Sequence, residues 1–166
     1  GLMDKFFDGE LSPLVQTTRG CPFTCTFCVE GVSYMTKVNK FSAARVKDEL
    51  EYISQRMNIG NALMVSDSNF GMLPGDVETA RSIHQLQQSI GWPKYVWATT
   101  GKNNKKAILS AIELLGGTIH MGNSVQSMDQ EVLANIKRSN IKLETYQASQ
   151  QEIRARNLDS YGEVII

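Results

Sequence analysis

LVQTTRGCPFTCTFC, residues 14–28, joins a short apolar run, Leu14–Thr17, to a loop holding all three cysteines of the chain at the spacing CxxxCxxC. The run reads as a β-strand, and the proline and polar residues after it favour a loop over a helix. A cysteine loop at the C-terminal end of a strand is where an α/β fold keeps its chemistry, so the question is whether the pattern repeats. It does. Further strand candidates are Ala62–Ser66, Tyr95–Thr100, Thr118–Met121 and Gly162–Ile166, each short and apolar enough to be covered on both faces. Between them lie stripes of helical period: Val46, Leu50, Ile53 and Met57; Val77, Ala80, Ile83 and Ile90; Ile108, Ile112 and Leu115. A weaker pair follows, one short helix around Val132, Leu133 and Ile136 and another from about Glu144 to Arg156 with Tyr146 and Ile153 inward. Ser42 and Asp129 are candidate N-caps. The expected architecture is α/β: a partial (β/α) barrel of about five parallel strands with outer helices. A complete eight-unit barrel usually takes about 200 residues or more, and this chain has 166. Residues 14–166 are expected to be a core truncated after its fifth strand, preceded by the short segment 1–13.

Composition narrows the partners. Seventeen basic and 17 acidic side chains cancel, with no run of like charge, so nothing marks a nucleic-acid or anionic membrane surface. No apolar stretch reaches the roughly 20 residues of a membrane span, and the start lacks the features of a signal peptide. Three cysteines within eight residues suit metal ligation in a reducing compartment rather than a disulfide framework, and the expected location is cytoplasmic. A small molecule or a protein-bound group is the expected substrate.

Thiolates are the usual protein ligands of iron–sulfur clusters, and a tight loop can wrap three of them around adjacent corners of one cube, leaving the fourth iron open. An open coordination position separates a reactive metal site from a closed structural one. The alternatives are a structural zinc site, a nucleophilic cysteine or inert thiols. Zinc would want a fourth ligand, and the only histidines, His84 and His120, lie far along the chain in predicted regular elements. A nucleophile needs one thiol and a base, which leaves two cysteines unexplained. A non-catalytic iron–sulfur module for electron transfer would normally have four protein ligands.

The loop resembles the signature of the radical S-adenosylmethionine (radical SAM) superfamily, CxxxCx(aromatic)C. By that resemblance Cys21, Cys25 and Cys28 hold a [4Fe–4S] cluster, and Phe27 takes the aromatic place near the adenine of S-adenosylmethionine. The resemblance implies that the open iron chelates the cofactor's amino and carboxylate groups. Reductive cleavage then gives a 5′-deoxyadenosyl radical that takes a hydrogen atom from substrate, with the electron coming from a donor such as flavodoxin or ferredoxin. SDSNFG, residues 66–71, resembles the segment whose backbone receives the methionine amino group, which makes Asp67, Ser68, Asn69 and Phe70 cofactor-binding candidates; a strand-to-helix turn with Asx bonding is the plainer reading. GNSVQSMDQEVL, residues 122–133, resembles the ribose-contacting segment through Gln126 and Ser127, with a capped helix start as the compatible alternative. Arg138 fits a bidentate contact to the cofactor carboxylate or a solvated surface charge. YGEVII, residues 161–166, resembles the start of the adenine wall, with Val164 to Ile166 as its apolar backbone. Trp97 and His120 could face the barrel interior, though a plain core role is the favoured reading. The N-terminal run, residues 2–23, resembles the linker after a cobalamin-binding domain, so cobalamin held by a domain outside these residues is expected to serve a methylation or rearrangement; a methylthiotransferase-like enzyme is the alternative within the family.

Overall fold

The computed structural model describes residues 1–57, 61–116 and 118–164. In chain order the elements are β1 (Leu14–Val15), β2 (Thr18–Arg19), β3 (Asn39–Lys40), α1 (Ala43–Ser54), β4 (Ala62–Phe70), α2 (Pro74–Ile90), β5 (Tyr95–Thr100), α3 (Lys105–Leu114), β6 (Met121–Gly122), α4 (Gln130–Asn135), α5 (Leu143–Ala155) and β7 (Ser160–Tyr161). Strands β1, β4 and β5 form a parallel sheet in that order, and β6 pairs parallel with β7. Between the two sheets the backbone ladder is replaced by a side-chain link, Gly122 N–H donating to Thr100 Oγ1 at 2.7 Å. The five strands of the βα repeat thus form an incomplete barrel wall, as the alternating pattern predicts, but the last, β7, precedes the expected run Gly162–Ile166, whose described part contributes one bridge, Gln126 to Val164, with residues 165 and 166 outside the described residues.

Alternation along the strands sorts two faces. Val15, Leu63, Val65 and Val96 are buried beneath Leu50, Ile53, Ile83, Ile108 and Ile112 of the helices. Each fully buried aliphatic side chain stabilises the fold by about 1.5–3 kcal/mol relative to exposure. The opposite face is open, contrary to the expectation of cover on both sides. Register aligns Leu14, Met64 and Trp97 in one row across it, and Leu14 and Trp97 are 56% and 62% exposed. Trp97 is therefore an inner-face residue and not a core one, and His120 is exposed as well. An inner barrel face is covered only by the rest of a barrel, by a ligand or by another domain, which hydropathy alone does not distinguish.

Helix starts follow their caps: Ser42 Oγ accepts from Arg45 N–H at 3.2 Å, and Asp129 Oδ1 accepts from Glu131 and Val132 N–H at 2.9 and 3.0 Å. Helix α2 departs from its predicted stripe. Ile90 is 56% exposed because it is the last helical residue before the left-handed cap at Gly91, and Asp76 and Thr79 are buried beside Ala80 and Ile83. In α4 only Leu133 is fully buried, and in α5 Ile153 is buried while Tyr146 is half-buried. Among the described residues no helix is long and apolar enough to cross a membrane.

Asp76 gives α2 a pH-dependent anchor. Its Oδ2 accepts from Leu73 N–H at 2.9 Å, yet burial pushes the carboxyl up from 3.8 to about 6; the Leu73 hydrogen bond pulls it down and the nearby Asp67 charge pushes it further up. A raised carboxyl pKa means that the folded state holds the proton more tightly. The stability it confers is complete below 3.8 and is lost as pH rises through about 6. Relative to Asp76→Asn, the wild-type chain is expected to lose on the order of 2–3 kcal/mol across that window, measured by urea unfolding at each pH. Parallel curves for the two proteins would contradict it.

Candidate functional site

The cysteine loop is held from both sides. Before it, β2 pairs antiparallel with β3, a two-residue ribbon too short to leave a periodic signal in the sequence. Gly20 lies at φ +99°, and a β-carbon there would come within 2.6 Å of the Met35 and Lys37 carbonyl oxygens, so this entry to the loop requires glycine. Cys21 N–H donates to Met35 O at 2.9 Å, Cys28 N–H to Cys25 O at 3.2 Å and Gly31 N–H to Cys28 O at 3.0 Å. From across the site Thr26 N–H donates to Ile136 O at 3.0 Å. The three thiols are free; Cys25 is buried, Cys21 half-buried and Cys28 exposed.

Asp67 ties the root of this loop to β4. The carboxylate is 2% exposed, and its Oδ1 accepts from Thr17 and Thr18 N–H at 2.7 and 3.1 Å while Oδ2 accepts from the Thr17 hydroxyl. Its side chain is consumed in this bracing and does not reach for a cofactor. Phe70, 1% exposed, belongs to the core, so its side chain is likewise withdrawn.

A cavity of about 200 Å³ lies in front of the thiols, and the C-terminal end of every strand of the βα repeat contributes to it: the cysteine loop after β1, Ser68 and Asn69 from β4, Thr100 and Lys102 from β5, Gln126 after β6, Tyr161 and Glu163 from β7. All three cysteines, Phe27, Ser68, Asn69, Gln126 and Arg138 line it together. Ser127 does not line it: its hydroxyl accepts from Asp129 N–H at 3.1 Å, the capping alternative. Val164 is 64% exposed and bridges to Gln126 as a parallel neighbour, outside the lining. Ile166 lies outside the described residues.

Several lining residues escape a reading of the sequence. Glu30 accepts from Ser68 Oγ at 2.7 Å, which closes the cysteine loop against β4. Lys102 sits over the Phe23 ring at 3.8 Å and donates to Ser139 O at 2.9 Å. Its ammonium pKa is pushed down by burial and by the Arg138 charge, against an upward pull from Cys25 and Cys21. Lys105, donating to Gly122 O at 3.1 Å, is pushed down to about 8 by burial first and by Arg138 second. Arg138 donates through Nε to Asn140 Oδ1 at 3.0 Å and through Nη2 to Ser124 O, and its Nη1 lies 3.9 Å from Cys25 Sγ. Lys102 and Arg138 make this end of the cavity positive, with Lys105 in a small adjoining pocket that they also line, while Glu30 and Glu163 supply the acidic side chains of the cavity lining.

The donor set fits an iron–sulfur cluster. Three thiols share one loop, and two nitrogen donors stand beside the sulfurs: Asn69 Nδ2 is 3.2 Å from Cys21 Sγ, and the Arg138 guanidinium lies near Cys25. Among the described residues no group of three His, Cys, Asp or Glu converges tightly enough for one metal ion. A mononuclear zinc site needs every ligand within about 2.0–2.3 Å of a single centre. A cube instead offers separate corners to separate thiolates.

Sequence comparison agrees with this chemistry: the model of the radical SAM superfamily matches residues 15–166, and the chain belongs to that superfamily. Over 160 residues it is 34% identical to the cobalamin-dependent radical SAM methyltransferase TokK of Streptomyces tokunonensis, and equally to a 2-(S-pantetheinyl)-carbapenam-3-carboxylate methyltransferase of Streptantibioticus cattleyicolor. Each alignment covers 92% of this chain and 23% of the relative, so the chain spans less than a quarter of those proteins. The fold is similar to that of the radical S-adenosylmethionine methyltransferase TsrM of Kitasatospora setae, solved with cobalamin and a [4Fe–4S] cluster, at TM-score 0.67 and 17% identity over 92% of this chain and 28% of TsrM. It is also similar to the cobalamin-dependent enzyme OxsB, at TM-score 0.63 and 16% identity over 92% of this chain and 23% of OxsB. At these identities the structural likeness shows the fold.

Proposed function

We propose that the chain is the radical-generating core of a methyltransferase in which cobalamin is held by a further domain, with residues 1–13 as the linker toward it and 14–166 as the core. The observation that carries this reading is the meeting of three free thiols with all five strand ends around one cavity. Cys21, Cys25 and Cys28 hold three corners of a [4Fe–4S] cluster. When bound, cluster and S-adenosylmethionine supply a one-electron cleavage of the sulfonium to a 5′-deoxyadenosyl radical.

The chain's own residues bind and orient. The amide of Gln126 offers neutral hydrogen bonds suited to a sugar, Phe27 offers an aromatic face, and the backbone at Ser68 and Asn69 presents the end of β4 to the methionine end of the cofactor. Arg138 and Lys102 supply positive charge for its carboxylate. The open inner face beyond Cys28, with Met64 and Trp97, gives an apolar approach for a small-molecule or protein-bound substrate. The electron comes from a flavodoxin- or ferredoxin-type donor in a reducing, cytoplasmic setting. The similarity to two named methyltransferases favours methyl transfer over a methylthiotransferase-like reaction.

The test is anaerobic reconstitution of the full-length protein with iron and sulfide, then reduction in the presence of S-adenosylmethionine. Formation of 5′-deoxyadenosine and methionine is expected. Reconstituted, reduced protein that leaves the cofactor intact would contradict the proposal.

A further inference from the structure

Strict alternation along β4 would send Asn69 to the helix-covered face with Leu63, Val65 and Asp67, and Phe70 to the inner face. The opposite is observed. The register with β5 shifts between Val65 and Phe70, a bulge that turns Asn69 toward the cavity and Phe70 into the core. The backbone there is fixed, since Met72 N–H donates to Asn69 O at 3.2 Å and Gly101 packs against that carbonyl too closely for a β-carbon to be accommodated without a shift. The result is an amide whose Nδ2 stands 3.2 Å from Cys21 Sγ in a part-buried setting. A thiolate accepts and cannot donate, so the amide must present its nitrogen.

We infer that Asn69 is a positioning residue that sets the reduction potential of the cluster through this N–H···S bond. The inference rests on the reading of Cys21 as a cluster ligand. Adding one electron from the external donor increases negative charge on cluster and thiolates, and a hydrogen bond to sulfur is stronger to the more negative state. Asn69 therefore favours the reduced form and raises the potential, one of the means by which a protein tunes such clusters. It acts through its side chain, whereas the cofactor contact expected of this segment uses the main chain, so the two roles are separable.

The test is a redox titration of the full-length reconstituted protein, followed by electron paramagnetic resonance of the reduced cluster. Asn69→Leu, similar in shape but without a donor, is expected to lower the reduced-to-oxidised ratio at a fixed potential about tenfold, which is about 59 mV for one electron. Asn69→Asp should lower it further by placing a negative charge against the sulfur. Ser66→Ala, which removes a hydroxyl that donates to Val15 O at 3.3 Å and to no sulfur, should leave the midpoint unchanged. Equal midpoints for wild type and Asn69→Leu overturn the inference. If the variants do not load a cluster, wild-type protein carrying ¹⁵N in its asparagine side chains decides: a hyperfine coupling from that nitrogen to the reduced cluster supports the bond, and its absence overturns it. A wild-type protein that assembles no cluster overturns the reading of the cysteines instead, which keeps the two failures distinct.

Discussion

Cys28→Ala protein, reconstituted anaerobically, is expected to lose the cluster and with it S-adenosylmethionine cleavage, a loss well beyond the roughly 10–100-fold that changes around a metal ligand cost. Cys28 is the informative choice among the three thiols. Cys25 is buried with the Arg138 guanidinium beside its sulfur, so its replacement would also disturb the packing around the loop. Cys28 is exposed, and its backbone bonds to Cys25 and Gly31 do not involve the side chain. The variant should therefore melt within a degree or two of the wild-type apoprotein, because exposed substitutions away from packed or bonded groups usually change stability by less than about 0.5 kcal/mol. Iron and sulfide content separates the outcomes: a variant that retains both at wild-type levels would remove Cys28 from the ligand set.

Asp67→Ala should be the most damaging substitution for stability, at about 3–5 kcal/mol. It removes a buried acceptor of three hydrogen bonds and leaves the Thr17 and Thr18 amides and the Thr17 hydroxyl without their partner. Those amides form the start of the cysteine loop, so the damage should extend to the site: reconstituted variant is expected to bind cluster poorly even where it remains folded. Asp67→Asn retains one acceptor oxygen and should cost less. Urea unfolding with calorimetry measures both. A loss under about 1 kcal/mol for the alanine variant would show that the loop is braced elsewhere, through the β2–β3 ribbon or Glu30 and Ser68.

Asp67 also shows where reading the sequence stops. Its position at a strand end is legible, but whether it faces a ligand or the fold depends on strand alternation and on which backbone amides lie opposite. The bulge after Val65 is invisible too, because it arises from pairing with β5 and carries no glycine or proline of its own. Lys102 and Lys105, in GKNNKK, look like any solvated loop lysines until the α4–α5 connection offers the Ser139 carbonyl to the first and β6 the Gly122 carbonyl to the second. Glu30 follows the cysteine loop with no pattern to single it out. By contrast, α1 and α3 were readable because their apolar stripes keep the 3.6-residue period, and the helix starts at Ser42 and Asp129 because capping is local chemistry. The three cysteines stand out in the sequence because all of them share one loop at the spacing CxxxCxxC, the pattern that carries the family resemblance. The open row of Leu14, Met64 and Trp97 is as apolar as a core, so hydropathy alone does not distinguish an inner barrel face from a face covered by helices.

The most direct test of the central claim is the electron paramagnetic resonance spectrum of the reduced, reconstituted full-length protein before and after addition of S-adenosylmethionine. If Cys21, Cys25 and Cys28 leave one iron open to the cofactor, a cluster signal is present in the first spectrum and its g values shift in the second. A cluster signal that the cofactor leaves unchanged, in protein shown to be reduced and loaded, would contradict the account.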